Sequence, residues 1–100
     1  MTTNRNIRVL AFFKAKPGKA AALKDFLSQL VEPTRREDGC LRYELHQNKA
    51  DPEDIVFIEE WASDAALDDH LASAHVLAAL PMVGEFVSAS PDIRRYRLLA

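Results

Sequence analysis

Cysteine, glycine and tryptophan are scarce in this chain, and the first two shortages close off classes of function. The one cysteine, Cys40, has no partner for an intrachain disulfide. There is no C-x-x-C redox pair, and no Cys/His cluster has the spacing of a zinc site. The glycines stand alone at positions 18, 39 and 84, so a glycine-rich phosphate loop is missing. No apolar run approaches the roughly 20 residues of a membrane span. The opening MTTNRNIR lacks the apolar middle region of a signal peptide. These absences predict a cytoplasmic protein without a membrane partner. Positive charge is not in excess either. The net charge of −2 argues against general affinity for nucleic acid. The single basic cluster, IRRYRLL at 93–99, reads as a strand with one solvated face.

What is present is the make-up of an ordinary globular domain, 48% hydrophobic and 28% charged. Its 100 residues suffice for one core and are too few for two, so 1–100 is read as a single domain.

Residues 7–15, IRVLAFFKA, read as a strand that is apolar on both faces: Val9, Ala11 and Phe13 on one, Leu10 and Phe12 on the other. Pro17-Gly18 turns the chain. Leu23, Phe26, Leu27, Leu30 and Val31 then recur at helical spacing over 19–32; Pro33 disturbs the helix, TRRED adds a turn, and Gly39 stops it. CLRYELHQ, 40–47, alternates, with Leu41, Tyr43 and Leu45 on one face; with IVFIEEW, 55–61, it predicts a hairpin closed by a longer polar loop. Ser63 is a good N-cap for the helix DAALDDHLA. Ser73 starts a further helical piece, which Pro81 and Gly84 are expected to bend or break, and residues 91–99 close the chain as a strand.

The order β-α-β-β-α-β is the ferredoxin-like split βαβ, an α+β fold with a four-stranded antiparallel sheet and helices on one face. The other sheet face also needs cover, and a second copy of the chain would supply it. The pattern therefore predicts a face-to-face homodimer, the competing reading being a monomer with one apolar outer face.

The stretch EEWASDAALDDHLASAH, 59–75, holds the only tryptophan and two of the three histidines. Ala66, Leu67, His70, Leu71 and Ala74 form an apolar stripe, so His70 points inward, as a satisfied core residue or as part of a pocket. His75 lies five positions on, about 140° round an unbroken helix. That spacing does not fit a helical i, i+4 metal site, so no metal is expected. A break at Ser73 would let the two rings converge on one cavity. Glu59 shares a strand face with Ile55, Phe57 and Trp61, and so needs a partner, such as Arg35, Arg95 or Arg97, or a shifted pKa. Tyr43 is either core or pocket wall. His46 reads as solvated, and Cys40, with no base beside it, as inert.

KPGK after the first strand, PTRREDGCLRYELHQ, IEEW and ALDDHLASAH occur here in an order and spacing that resemble the antibiotic biosynthesis monooxygenase family. The likeness is to its small quinol-monooxygenase-like members, in the dimeric α+β barrel superfamily, and spans nearly the whole chain. It implies two sheets packed into a shared barrel, with a pocket in each protomer between sheet and helices. Arg35, Gly39, Tyr43, Glu59, Trp61, His70 and His75 match positions where the family usually has the same residues. The resemblance tips His70 toward a pocket role. Relatives of this fold oxygenate phenols, anthrones or hydroquinones with dioxygen and no cofactor, degrade haem, or isomerise small carbonyl compounds. The haem-degrading pattern has an Asn, a Trp and a His where Ala11, His70 and Leu80 stand here, which argues against that activity.

The leading expectation is a cofactor-independent monooxygenase in which His70, with His75, removes a proton from an aromatic substrate that then reacts with dioxygen. Trp61, Tyr43, Glu59, Arg35, Phe12 and Leu67 would form the pocket. The alternatives are an isomerase of a small hydroxycarbonyl compound and a non-catalytic dimeric binding module. The homodimer is the expected unit, with a higher oligomer left open.

Overall fold

The computed structural model describes residues 6–100. The opening Met1–Arg5, which contributed to the reading of an absent signal peptide, lies outside the described residues. The elements run β1 (Ile7–Lys14), α1 (Ala20–Ser28), α2 (Val31–Arg35), β2 (Cys40–Gln47), β3 (Asp54–Trp61), α3 (Asp64–Leu71), α4 (Ala74–Val83) and β4 (Asp92–Arg97). The strands form one sheet of order β2-β3-β1-β4, antiparallel throughout. This is the expected ferredoxin-like arrangement. No helix among the described residues is long and apolar enough to cross a membrane.

Alternation along the two central strands sets the layers. Val9 and Ala11 of β1, with Ile55, Phe57, Glu59 and Trp61 of β3, are buried on the face that the helices cover. Leu23 and Leu27 of α1 and Leu67 of α3 close over them, each at most 1% exposed. Truncating such a Leu to Ala would cost about 2–5 kcal/mol, because the neighbours only partly refill the cavity.

The other face presents Leu10, Phe12, Val56 and Ile58, all half-buried. The register Leu10↔Ile58 and Phe12↔Val56 makes them one contiguous block. β4, at the sheet edge, is exposed along its whole length.

Four local readings are corrected. The helix expected over 19–32 is two pieces. α1 ends at Ser28 and α2 begins at Val31, so Pro33 falls in the first turn of a new helix, where its missing N–H is harmless. Leu41 does not share the face of Tyr43. A β-bulge between Cys40 and Arg42 leaves Leu41 as the extra residue, 55% exposed. Of the bend or break expected from Pro81 and Gly84, a break at Pro81 does not occur: α4 continues to Val83 and ends at Gly84. Glu59 has no arginine partner among the described residues: Arg95 pairs with Asp64 and Asp68, and Arg35 bonds a backbone carbonyl.

Gly39 fixes how β2 meets α3. Its φ is +82°, and a Cβ there would stand 2.6 Å from the Cβ of Ala66. The Gly39 carbonyl also accepts from the Ala62 N–H at 2.8 Å. Only glycine allows both the left-handed turn and so close an approach. The Glu37–Gly39 turn is thereby pinned one helical turn from His70.

Candidate active site

α3 begins at Ser63, whose side chain accepts from the Ala66 N–H as the sequence predicts. That cap fixes the helix phase and places Leu67 and His70 inward, 1% and 3% exposed. The helix stops at Leu71. Ser73 is extended (φ −68°, ψ 154°), and its hydroxyl donates to the His70 carbonyl at 2.6 Å instead of capping α4. The chain therefore changes direction between the two histidines. Their rings converge, with centroids 6.0 Å apart, which an unbroken helix would forbid.

Both rings meet on a residue that sequence reading did not single out. Glu37 Oε2 accepts from His70 Nδ1 at 2.7 Å and from His75 Nε2 at 2.9 Å. His75 Nε2 is also 3.1 Å from the Thr34 hydroxyl, itself fully buried. An ionised carboxylate only accepts, so the contact assigns the His70 proton to Nδ1 and leaves Nε2 as a lone pair. Among the described residues Nε2 has no hydrogen-bond partner. Burial pulls the His70 pKa below its ordinary value; hydrogen bonding and attraction from Glu37 oppose this only in part, and His75 adds to the depression. Burial thus favours the neutral ring, which lies between Trp61 at 4.7 Å and Tyr43 at 5.4 Å between centroids.

Glu59 is the second unusual group. It is 4% exposed, and Trp61 Nε1 donates to its Oε1 at 2.8 Å. Burial raises its pKa to about 7 against that bond, with repulsion from Glu37 adding to the rise. Near neutrality it is both a proton donor and a proton acceptor. Burial, with the nearby Glu59 charge, also pushes the Tyr43 hydroxyl above its ordinary range, so it stays a neutral phenol. The Tyr43 ring stacks on Phe57 at 4.5 Å.

These groups border a narrow apolar cleft between sheet and helices, with a cavity volume of about 70 Å³. Val9, Ala11 and Phe13 of β1 form its floor, and Leu67, Leu71 and Val76 lie on the helix side. Its ionisable lining residues are Glu59, His70 and Tyr43. Of the expected pocket residues, His70, Tyr43, Glu59 and Leu67 reach the cleft. Trp61 and His75 do not; Trp61 donates to Glu59 from behind, and His75 bonds Glu37, the partner of His70. Phe12 points to the opposite sheet face, where the Arg94 guanidinium lies 5.4 Å from its ring, because alternation gives the cleft to Val9, Ala11 and Phe13. Arg35 is exposed and its Nε donates to the Tyr43 carbonyl at 3.1 Å, tying α2 to β2 from outside. Glu37 was hidden within the polar run TRREDG. Its one signal is its place in the turn that Gly39 closes.

The sequence matches the family described as "Antibiotic biosynthesis monooxygenase" over residues 6–81. It is 38% identical to "Putative monooxygenase Rv0793" of Mycobacterium tuberculosis, covering 82% of this chain and 80% of that one. It is 31% identical to "Probable quinol monooxygenase YgiN" of Escherichia coli, covering 72% and 79%. The crystal structure of PA3566 from Pseudomonas aeruginosa superposes with a TM-score of 0.90 at 34% identity, over 100% of both chains. On this match of sequence and fold, the chain belongs to the antibiotic biosynthesis monooxygenase family.

Proposed function

We propose that the protein is a cofactor-independent monooxygenase that oxidises a hydroquinone or related phenol with dioxygen. The observation that carries this reading is His70, oriented by Glu37 through Nδ1 and bordering an apolar cleft, where burial favours its neutral form. Family membership and the monooxygenase names of the relatives support the reaction type. His70 Nε2 takes the proton of the substrate hydroxyl, within the range where imidazole is an efficient base. The phenolate gives one electron to dioxygen, and the ring radical and superoxide combine at the neighbouring carbon. Loss of water from the resulting peroxide leaves a new C=O. For a hydroquinone the balance is substrate plus O₂ to hydroxyquinone plus water. Glu59, in its protonated form, supplies a proton to the departing oxygen. Leu67 and the β1 side chains keep the anion and radical from bulk water.

Oxygen uptake by chelator-treated protein with a panel of hydroquinones tests this. Uptake in proportion to enzyme, with hydroxyquinone formed mole for mole, is expected. A folded protein that leaves oxygen untouched across the panel overturns it.

An isomerase of a hydroxycarbonyl compound is the second reading, favoured by two groups able to move protons on one cleft, His70 and Glu59. It consumes no oxygen, so the same electrode separates the two. The open cleft at His70 counts against a purely structural module. The working unit in this reading is a homodimer, in which a partner covers the Leu10–Phe12–Val56–Ile58 face.

A further inference from the structure

We infer that Glu37, His70 and His75 form a binding site for a divalent transition-metal ion, and that a metal bound there switches the His70 base off. Their three ligand atoms lie within 4.8 Å of one another. Two imidazole nitrogens and one carboxylate oxygen suit zinc, cobalt, nickel or copper better than calcium or magnesium. In a tetrahedral zinc-type centre, bonds of about 2.0–2.2 Å set the ligand atoms about 3.3 Å apart. The carboxylate contacts are now 2.7 and 2.9 Å. Opening them by about half an ångström while the nitrogens draw together makes room for the ion. The framework needed is already built. Gly39 fixes the Glu37 turn, the Ser73 hydroxyl holds the end of α3 at 2.6 Å, and Thr34 stands beside His75 Nε2 at 3.1 Å. Entry is open, since the Glu37 and His75 side chains are 18% and 24% exposed while that of His70 is 4%.

A metal on His70 Nδ1 displaces the proton that Glu37 now accepts. In the neutral ring that proton moves to Nε2, the nitrogen that faces substrate in the proposed reaction. A ring protonated there cannot take a proton from a phenol. The metal therefore inhibits, and this half of the inference rests on the proposed function. The binding half does not.

The test uses the tag-free full chain, stripped with chelator and titrated with Co²⁺. One ion per chain is expected, with the visible absorption of a four- or five-coordinate centre and displacement by Zn²⁺. In the unaltered protein, paramagnetic shifts should fall on the ring protons of both His70 and His75. Glu37→Gln and His75→Ala should each weaken binding by at least roughly 10-fold to 100-fold. His46→Ala, which removes the exposed His46–Glu44 pair, should leave it unchanged. Zn²⁺ should then suppress oxygen uptake with the midpoint found in the Co²⁺ competition. No binding up to millimolar cobalt, or shifts confined to His46, overturns the site. Metal that raises turnover overturns the switch. Binding by a protein that consumes no oxygen upholds the site and removes the switch with the proposed function.

Discussion

One oxygen of Glu37 joins the two histidines, 2.7 Å from His70 Nδ1 and 2.9 Å from His75 Nε2. In the proposed reaction Glu37 is thereby a positioning residue and His70 the base. His70→Ala should leave the fold intact at a cost of about 1–3 kcal/mol and cut turnover by roughly 10²-fold or more. Normal oxygen uptake with a lowered melting temperature would mean that His70 is packing only. Activity in the unaltered protein should fall with acidification, and the acid limb should lie below the ordinary imidazole range, because burial displaces the His70 pKa downward. Glu37 raises that pKa, so Glu37→Gln should move the acid limb to lower pH as well as reduce kcat. An unmoved limb would count against the positioning role.

Glu59 makes stability depend on pH in the opposite sense. Its folded pKa, about 7, lies above the ordinary 4.5. The neutral form is favoured in the fold, so its contribution is complete below pH 4.5 and is lost as pH rises through 7. The full loss is of order 3 kcal/mol at 1.36 kcal/mol per unit. Glu59→Gln keeps an acceptor for Trp61 Nε1 and carries no charge. It should melt higher than the parent at pH 8–9, and the advantage should shrink toward pH 4. Parallel melting curves for the two proteins across that range would refute the buried, unpaired carboxyl.

Gly39 and Gly18 are a matched pair for separating backbone strain from close packing. Both have positive φ, +82° and +78°, but a Cβ at Gly18 meets nothing within 4 Å, whereas one at Gly39 stands 2.6 Å from that of Ala66. Gly18→Ala should cost about 1 kcal/mol, the strain of a left-handed alanine. Gly39→Ala should cost at least about 2–3 kcal/mol, because α3 must also shift. That shift moves His70 relative to Glu37, so activity should fall with stability in Gly39→Ala alone. Equal melting points for the two variants would remove Gly39 as the anchor of the site.

The strands and both halves of 63–83 were legible because hydrophobic period and capping are local signals. Ser63 announces α3, and the stripe Ala66-Leu67-His70-Leu71 tells which way His70 turns. The site's second half was not legible. Glu37 sits in a charged run with no period, and reaches His70 only through the Gly39–Ala66 contact, which joins residues 27 apart in sequence. Phe12 was misplaced because β1 is apolar on both faces and alternation does not say which face the helices cover. Leu41 was misplaced because a bulge resets alternation without leaving a mark such as glycine. Glu59 was recognised as needing either a partner or a shifted pKa. The fold gives it Trp61 and burial instead of arginine.

The helices leave one face of the sheet uncovered. Leu10, Phe12, Val56 and Ile58 form a contiguous apolar block, bordered by Arg94 beside Leu10 and Glu44 beside Ile58 in the sheet register. An apolar centre with a charged rim is the layout of a subunit contact. A homodimer through this face should bury well over ~1,200 Å² in total. Sedimentation at micromolar concentration should give twice the chain mass, and a still larger mass would indicate further assembly of dimers. Ile58→Asp places a charge at the centre of the block and should dissociate the dimer or prevent folding. Arg94→Ala at the rim should alter the salt dependence of association and leave the dimer formed. A monomer at micromolar concentration in the unaltered protein would overturn the contact. A dimer that survives Ile58→Asp would move it to another face, such as that formed by Leu77 and Leu80 of α4, 54% and 52% exposed.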